Sequence, residues 1–343
     1  MKHIYGYILT TLTALTLTAC SFDTAHTDDR QQPDNNGTAN QVRIMLDGSI
    51  AGGAAQTRTV NASVQTTHFC KGNTVGAFIY RKGQTTNQTV DSEDYGYTNR
   101  KYTSIDNTYT LYNSEEILFP DKGTGDQLNV DIYAYAPYNE SWSSLAAQTF
   151  TVAENQTTDE NYMKSDLLWV YKQATKPSTF RNPIELKFDH KLTQIKVVIE
   201  AGSALYESEL YDGTVKLTGI GRTGTINLQT GAVSISGSGS AQTQELTVFT
   251  YAQKQDGSRD TDCTTGYAVV YPHTADELAD AKLQFTLAGT TTTYEASLKY
   301  GNITKWDPGK TYVYTVLVSQ AGLSVTTSLS DWVTGAETPG TAE

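Results

Sequence analysis

The feature that most limits what this chain can become is a two-residue alternation of side chains, repeated in short runs along the body. Val42, Ile44 and Leu46 alternate with Arg43, Met45 and Asp47. Val75, Ala77 and Ile79 follow a Gly-Asn turn signal, and Val130, Ile132, Ala134 and Ala136 alternate in VDIYAYAPY. Ile184, Leu186 and Phe188 alternate with Glu185, Lys187 and Asp189, and Ile195, Val197 and Ile199 repeat the pattern. Leu283, Phe285 and Leu287 follow, then Tyr294, Ala296, Leu298 and Tyr300, then Tyr312, Tyr314, Val316 and Val318. Leu323, Val325, Thr327 and Leu329 end the series. Successive side chains of a strand point to opposite faces, so a period of two means one buried face. Each run is short and bounded by Gly, Pro, Asn or Asp. That pattern predicts an all-β chain built of antiparallel sandwiches. The 22 tyrosines, with abundant Thr and Val, suit pleated, half-buried surfaces. Helix signals are confined to PHTADELADAKL, where Thr274 and Glu277 have capping-box spacing, and to SWSSLAAQ around Trp142. Both read as short crossovers.

The start of the chain is of another kind. Lys2 and His3 form a weakly basic lead, and Ile4 to Leu17 form an apolar run. The run is shorter than the ~20 residues that span a bilayer. It closes on Leu17-Thr18-Ala19-Cys20, which fits a bacterial lipobox. Residues 1–19 are therefore expected to be a signal peptide, with Cys20 taking a lipid. Residues 20–40 are polar and hold almost nothing apolar, so they read as a flexible tether. The stretch YKQATKPSTFRNP is polar and carries two prolines. It predicts a division into an N-terminal sandwich over 41–175 and a C-terminal one over 182–335, with a disordered tail at 336–343. SISGSGSAQTQ reads as a hairpin tip.

Net charge is -12, and phosphate contacts need clustered Lys and Arg, which excludes nucleic acid as a partner. Cys70 and Cys263 are the cysteines besides Cys20. Export permits a disulfide between them, but they fall in different expected sandwiches, which weighs against one. His68, His190 and His273 are isolated in sequence, without HxH or HExxH. No GxSxG or P-loop occurs, and no GxGxxG opens a helix. The acidic clusters lack EF-hand spacing. Hence no catalytic residue, metal site or cofactor is expected. His190, at the end of an alternating strand, reads as a core or interdomain hydrogen-bonding residue, and His273 as a cap on a short turn. The stretch YGYTNRKYTSIDNTYTLYN leaves two readings open. Tyr95, Tyr97 and Tyr102 form a ligand-contact loop that stacks on a glycan or a protein, or these rings pack a strand and loop.

Several segments together resemble the fimbrillin family of Bacteroidetes, the Mfa-like and FimA-like pilins. They are VDIYAYAPY, SDLLWVY, IELKFDHKLTQIKVVIEAG, VVYPHT and KWDPGKTYVYTVLVSQAGLSVTTSLSDW, with the lipobox and the Thr57-Arg58-Thr59 step. The resemblance implies two transthyretin-like Greek-key β-sandwich domains in tandem. It also implies export as a lipoprotein to the outer membrane, and polymerisation into a fimbrium by strand exchange with other subunits, in support of adhesion. In that family an arginine-specific protease removes an N-terminal segment, and a strand of the next subunit fills the groove left behind. On this chain Arg58 matches the cleavage step, with Arg43 as the second candidate. Val42, Ile44 and Leu46 would be the displaced strand, followed by the small, flexible stretch GSIAGGAAQT. Leu323, Val325, Thr327 and Leu329 are either the donor strand or the last strand of their own domain. The alternative to a pilin is a monomeric surface lipoprotein that binds a host glycan or protein.

Overall fold

A computed structural model of the protein describes residues 41–51, 68–105, 109–178, 182–203, 205–237, 243–251 and 265–332. Among them are twenty strands and one short α-helix. In chain order the strands are β1 (Leu46–Ile50), β2 (Thr74–Arg81), β3 (Gln88–Val90), β4 (Glu93–Tyr95), β5 (Tyr97–Ser104), β6 (Thr110–Tyr112) and β7 (Val130–Ala136). Next come β8 (Ala147–Thr151), helix α1 (Asp159–Ser165), β9 (Leu168–Ala174), β10 (Ile184–His190) and β11 (Thr193–Ala201). Then follow β12 (Thr214–Ile220), β13 (Thr223–Asn227), β14 (Ala232–Ile235), β15 (Gln244–Thr250) and β16 (Thr265–Val270). Last are β17 (Lys282–Thr286), β18 (Thr293–Ser297), β19 (Lys310–Ser319) and β20 (Gly322–Asp331).

Seven strands close into a ring in the order β1-β10-β9-β7-β2-β5-β6, with β6 returning to β1. Two four-stranded sheets, β16-β11-β19-β20 and β15-β12-β17-β18, and a small sheet, β14-β13-β8, form the rest. The polar stretch 172–183, expected to separate two bodies, instead joins neighbours of one sheet. β10 pairs antiparallel with β9 and parallel with β1, inside the ring. β8 goes the other way and pairs with β13. Alternation in Ile184, Leu186 and Phe188 identifies a strand and its buried face, but carries no information on which sheet receives it. The expected helix over PHTADELADAKL is a set of turns, although the predicted cap forms: Thr274 N–H donates to Glu277 Oε2 at 2.8 Å. The Gly/Ser stretch after β14 joins two different sheets rather than the arms of a hairpin.

The described residues form two cores, and β2 and β7 form the wall between them. Val75, Ala77 and Ile79 of β2 and Val130, Ile132 and Ala134 of β7 point into the ring. Phe78 and Tyr80, with Tyr133 and Tyr135, point the other way into the larger core. All seven residues of β7 are buried, which is why VDIYAYA carries apolar or aromatic groups at nearly every position. Tyr135 packs against Trp142 at 4.5 Å between centroids with the rings tilted, and Trp142 meets Phe150 edge-on at 6.5 Å. Trp142 therefore lies in a buried loop rather than a helix. Gly76 sits opposite Tyr135 in register, where a Cβ would come within 2.3 Å of that ring. Only hydrogen fits there. Within the larger core Tyr271 Oη donates to Phe150 O at 2.9 Å, and from ring strand β9 Trp169 Nε1 donates to Leu228 O at 2.8 Å.

Two buried histidines sit at junctions. His190 Nδ1 lies 2.8 Å from Asp166 Oδ1, and its ring stacks on Trp332 at 4.0 Å. His273 is inside the larger structure rather than capping an exposed turn. Its Nε2 accepts from Gly221 N–H at 3.1 Å, and Nδ1 donates to Tyr271 O at 2.8 Å. That bonding suits the neutral ring, and burial lowers the His273 pKa below its ordinary value.

Two outcomes are expected. Phe78→Ala should cost about 3–5 kcal/mol and lower one shared unfolding transition, read by chemical denaturation, because Phe78 belongs to the wall. His273 is held neutral when folded, whereas the unfolded chain takes up a proton near pH 6.5. Stability is therefore intact above that pH and falls as pH drops below it. Thermal melts of His273→Gln between neutral and mildly acid pH should show a shallower acid decline than wild type.

Candidate functional site

The site begins with the residues that open the described chain. β1 lies between β10 on one side and β6 on the other. Leu46 pairs with Ile184 and Leu111, and Ile50 pairs with Phe188. The pairing extends upstream of the strand proper. Ile44 N–H donates to Ile117 O at 2.7 Å, and Phe119 N–H donates to Val42 O at 2.8 Å. Downstream, Ala51 N–H donates to Phe188 O at 2.7 Å. The period of two then dictates the rest. Val42, Ile44, Leu46 and Ile50 point inward and are buried, Leu46 completely. Position 48 is also inward, and it is glycine because Phe69 and Leu111 stand 2.9 Å from where a Cβ would be. Arg43, Met45, Asp47 and Ser49 lie on the outer face, and Arg43 is exposed.

Each buried aliphatic side chain contributes roughly 1.5–3 kcal/mol, as an upper estimate. β1 is thus a continuous apolar stripe filling a slot lined by Phe69, Leu111, Ile117, Phe119, Leu186 and Phe188. Its removal would open the ring and leave two strand edges, β6 and β10, facing each other across that slot.

A second layer grips the clasp. Tyr95 Oη donates to Leu118 O at 2.7 Å, and Leu118 N–H donates to Tyr97 Oη at 3.1 Å. Leu118 in turn bridges Arg43. Tyr95 and Tyr102 are only 5% and 2% exposed, and burial pushes both phenols well above their ordinary pKa, so they stay uncharged. This speaks against the ligand-contact reading for Tyr95 and Tyr102; Tyr97 is half-buried. A buried ring such as that of Tyr95, whose hydroxyl is spent on Leu118, does not offer a face to a glycan. Behind Tyr95, the buried Arg81 guanidinium bonds Lys122 O at 2.8 Å, Gln127 O at 2.7 Å and the Glu93 carboxylate.

The other expected positions fall as follows. Cys20, Arg58 and Cys263 lie outside the described residues. Arg43 sits between Val42 and Ile44, both seated in the slot, so a cut there would split the stripe. Leu323, Val325, Thr327 and Leu329 belong to β20, which pairs antiparallel with β19 over its whole length, from Gly322 opposite Ser319 to Asp331 opposite Lys310. Ile117 and Phe119 were not singled out from sequence. The signal that marks them is the short apolar run Ile117-Leu118-Phe119 before Pro120. Among the described residues no group of three His, Cys, Asp or Glu could hold a metal ion, and no helix is long and apolar enough to cross a membrane.

A model of fimbrillin-like proteins matches residues 57–332. The chain belongs to the fimbrillin-like family. One relative of this fimbrillin-like chain is the "Putative fimbrium subunit Fim1C" of Bacteroides uniformis, 27% identical over 256 residues, 70% of this chain and 74% of the relative. Among solved structures, a "putative cell adhesion protein" of Bacteroides uniformis aligns with a TM-score of 0.60 at 20% identity, over 85% of this chain and 98% of that one. The tip fimbrial protein Mfa3 of Porphyromonas gingivalis aligns with a TM-score of 0.50 at 9% identity, over 85% and 100%. These likenesses establish the all-β fold of the fimbrillin-like chain.

Loosening the clasp should be measurable. Leu46→Ala is expected to cost about 2–5 kcal/mol. Its hydrogen exchange should rise first in β1, β6 and β10, with β11 and β19 still protected.

Proposed function

We propose that this chain is a subunit of a cell-surface fimbria, exported as a lipoprotein and assembled by strand exchange at the β1 seat. The observation that carries the reading is the burial of Val42, Ile44, Leu46 and Ile50 in a slot between β6 and β10. A lipid on Cys20 would hold the precursor at the outer membrane. A cut at Arg58 would detach the lipid, the tether and β1 together, because all three precede it in the chain. The emptied slot then offers two strand edges and a row of apolar pockets, which is what β-augmentation requires. An incoming strand with apolar residues at alternate positions would fit in register, since a slip of one residue turns every side chain to the wrong face.

The two cores are consistent with tandem transthyretin-like Greek-key sandwiches, with β10 counted in the N-terminal one. β20 could donate to a neighbour only after leaving β19 along ten paired positions. In the arrangement described the chain therefore acts foremost as a strand acceptor, in an accessory or structural place in the fimbria, and supports adhesion mechanically rather than by catalysis.

The test is limited digestion of the purified chain with an arginine-specific protease. Cleavage after Arg58 should convert monomer-sized material into a ladder on size exclusion and filaments by electron microscopy. Arg58→Ala should block both. A chain cut at Arg58 that remains a stable, unassembled species would overturn the reading.

A further inference from the structure

A sheet edge is a row of unpaired backbone donors and acceptors, and folded proteins close, shorten or charge such edges. This chain does so almost everywhere. The ring has no edge. On one flank of the two four-stranded sheets, the segment before α1 covers both end strands. Gln156 Nε2 donates to Val269 O and Val269 N–H donates to Gln156 Oε1, each at 2.8 Å, so one buried amide caps β16. Gln156 N–H donates to Thr247 O at 2.9 Å and Thr247 N–H to Glu154 O at 2.7 Å, which caps β15. On the other flank, β18 has five residues and carries Glu295, paired with Lys282 at 2.7 Å. β8 and β14 end the small sheet with five and four residues.

β20 is the exception. It has ten residues and ends its sheet, with β19 as its neighbour and no backbone bond on its far side among the described residues. Positions 322–330 read GLSVTTSLS, without charge or proline. Leu329, on the face shared with buried Val325, is 57% exposed. The order of side chains is what points to an occupant. Read outward from Thr326, the strand repeats itself: Val325 mirrors Thr327, Ser324 mirrors Ser328, and Leu323 mirrors Leu329.

We propose that β20 pairs edge to edge, antiparallel, with β20 of a second copy of this chain, about a two-fold axis through Thr326. A mirrored strand is what an isologous contact needs, because each residue then meets its own counterpart. Leu323 of each copy faces Leu329 of the other and covers the exposed leucine. Ser324 faces Ser328, and Val325 faces the similarly shaped Thr327. Like-for-like apolar and hydroxyl pairs of this kind stabilise adjacent strands. No charges oppose across the seam, although each copy carries a net -12. Asp331 is at the end of the strand and is engaged by Lys310 of its own chain. The contact needs β20 in place on β19, so it is independent of cleavage and exchange at the β1 seat.

The experiment is sedimentation of the purified, uncut full chain over a concentration series. Wild type should show a reversible monomer–dimer equilibrium. Thr326 is exposed, so Thr326→Lys and Thr326→Glu leave the fold intact, as melting curves will check. Each places like charges opposite one another at the axis and should weaken the dimer roughly tenfold or more. An equimolar mixture of the two should regain it as a heterodimer. Wild type that stays monomeric at the highest attainable concentration would overturn the proposal. So would a dimer that both variants leave unchanged, or two weakened variants whose mixture does not recover.

Discussion

Every β-sheet has two outer strands whose backbone polar groups need partners, and most of this structure answers that need. The ring answers it by closure, which requires a strand between β6 and β10. That strand is β1, and it satisfies an antiparallel neighbour and a parallel neighbour at once. The larger part answers it with a side chain. Gln156 presents a carboxamide in the geometry of a peptide unit to Val269, and a single residue thus does the work of a neighbouring strand. The glycine at 48 and the tyrosines at 95 and 97 are secondary to closure. One makes room for the strand and the others brace what it leans on.

The second organising element is the wall. A strand of a simple sandwich shows one apolar and one polar face, but β2 and β7 have no solvent face. Their small and aliphatic residues fill the ring, while Phe78, Tyr80, Tyr133 and Tyr135 fill the other core. The aromatics suit this position because each buries a large area and keeps a polar tip that finds a partner at the boundary. Tyr135 Oη donates to Asn99 Oδ1 at 2.7 Å, and Tyr80 Oη lies 3.1 Å from Thr98 Oγ1. The two cores therefore share a partition and do not simply lie side by side.

Much of this was legible in the chain itself, and the limits have physical causes. Alternation located β2, β7, β10, β11, β17, β19 and β20, because it reports a buried face directly. It could not assign β10 to the ring, since a strand's pattern is the same whichever neighbour it takes. The tyrosines of 95–102 looked adaptable because ring composition alone does not distinguish an exposed platform from a buried brace. Gln156 left no trace in sequence. A polar residue in a polar stretch reads as loop until its two backbone partners, 113 positions away, are seen. Arg58 and Cys20 rest on local motifs and lie outside the described residues.

The parallel pairing of β1 with β10 also bears on how the molecule is made. Ser49 Oγ, on β1, donates to Leu186 O of β10, and the two residues are 137 positions apart. The first of the described strands therefore has no parallel neighbour until β10 has been made. Joining ends so distant carries a large loop entropy, and contacts of this kind form slowly. Until that pairing forms the ring is a slotted sheet with open strand edges, the form of the chain most exposed to mispairing with others.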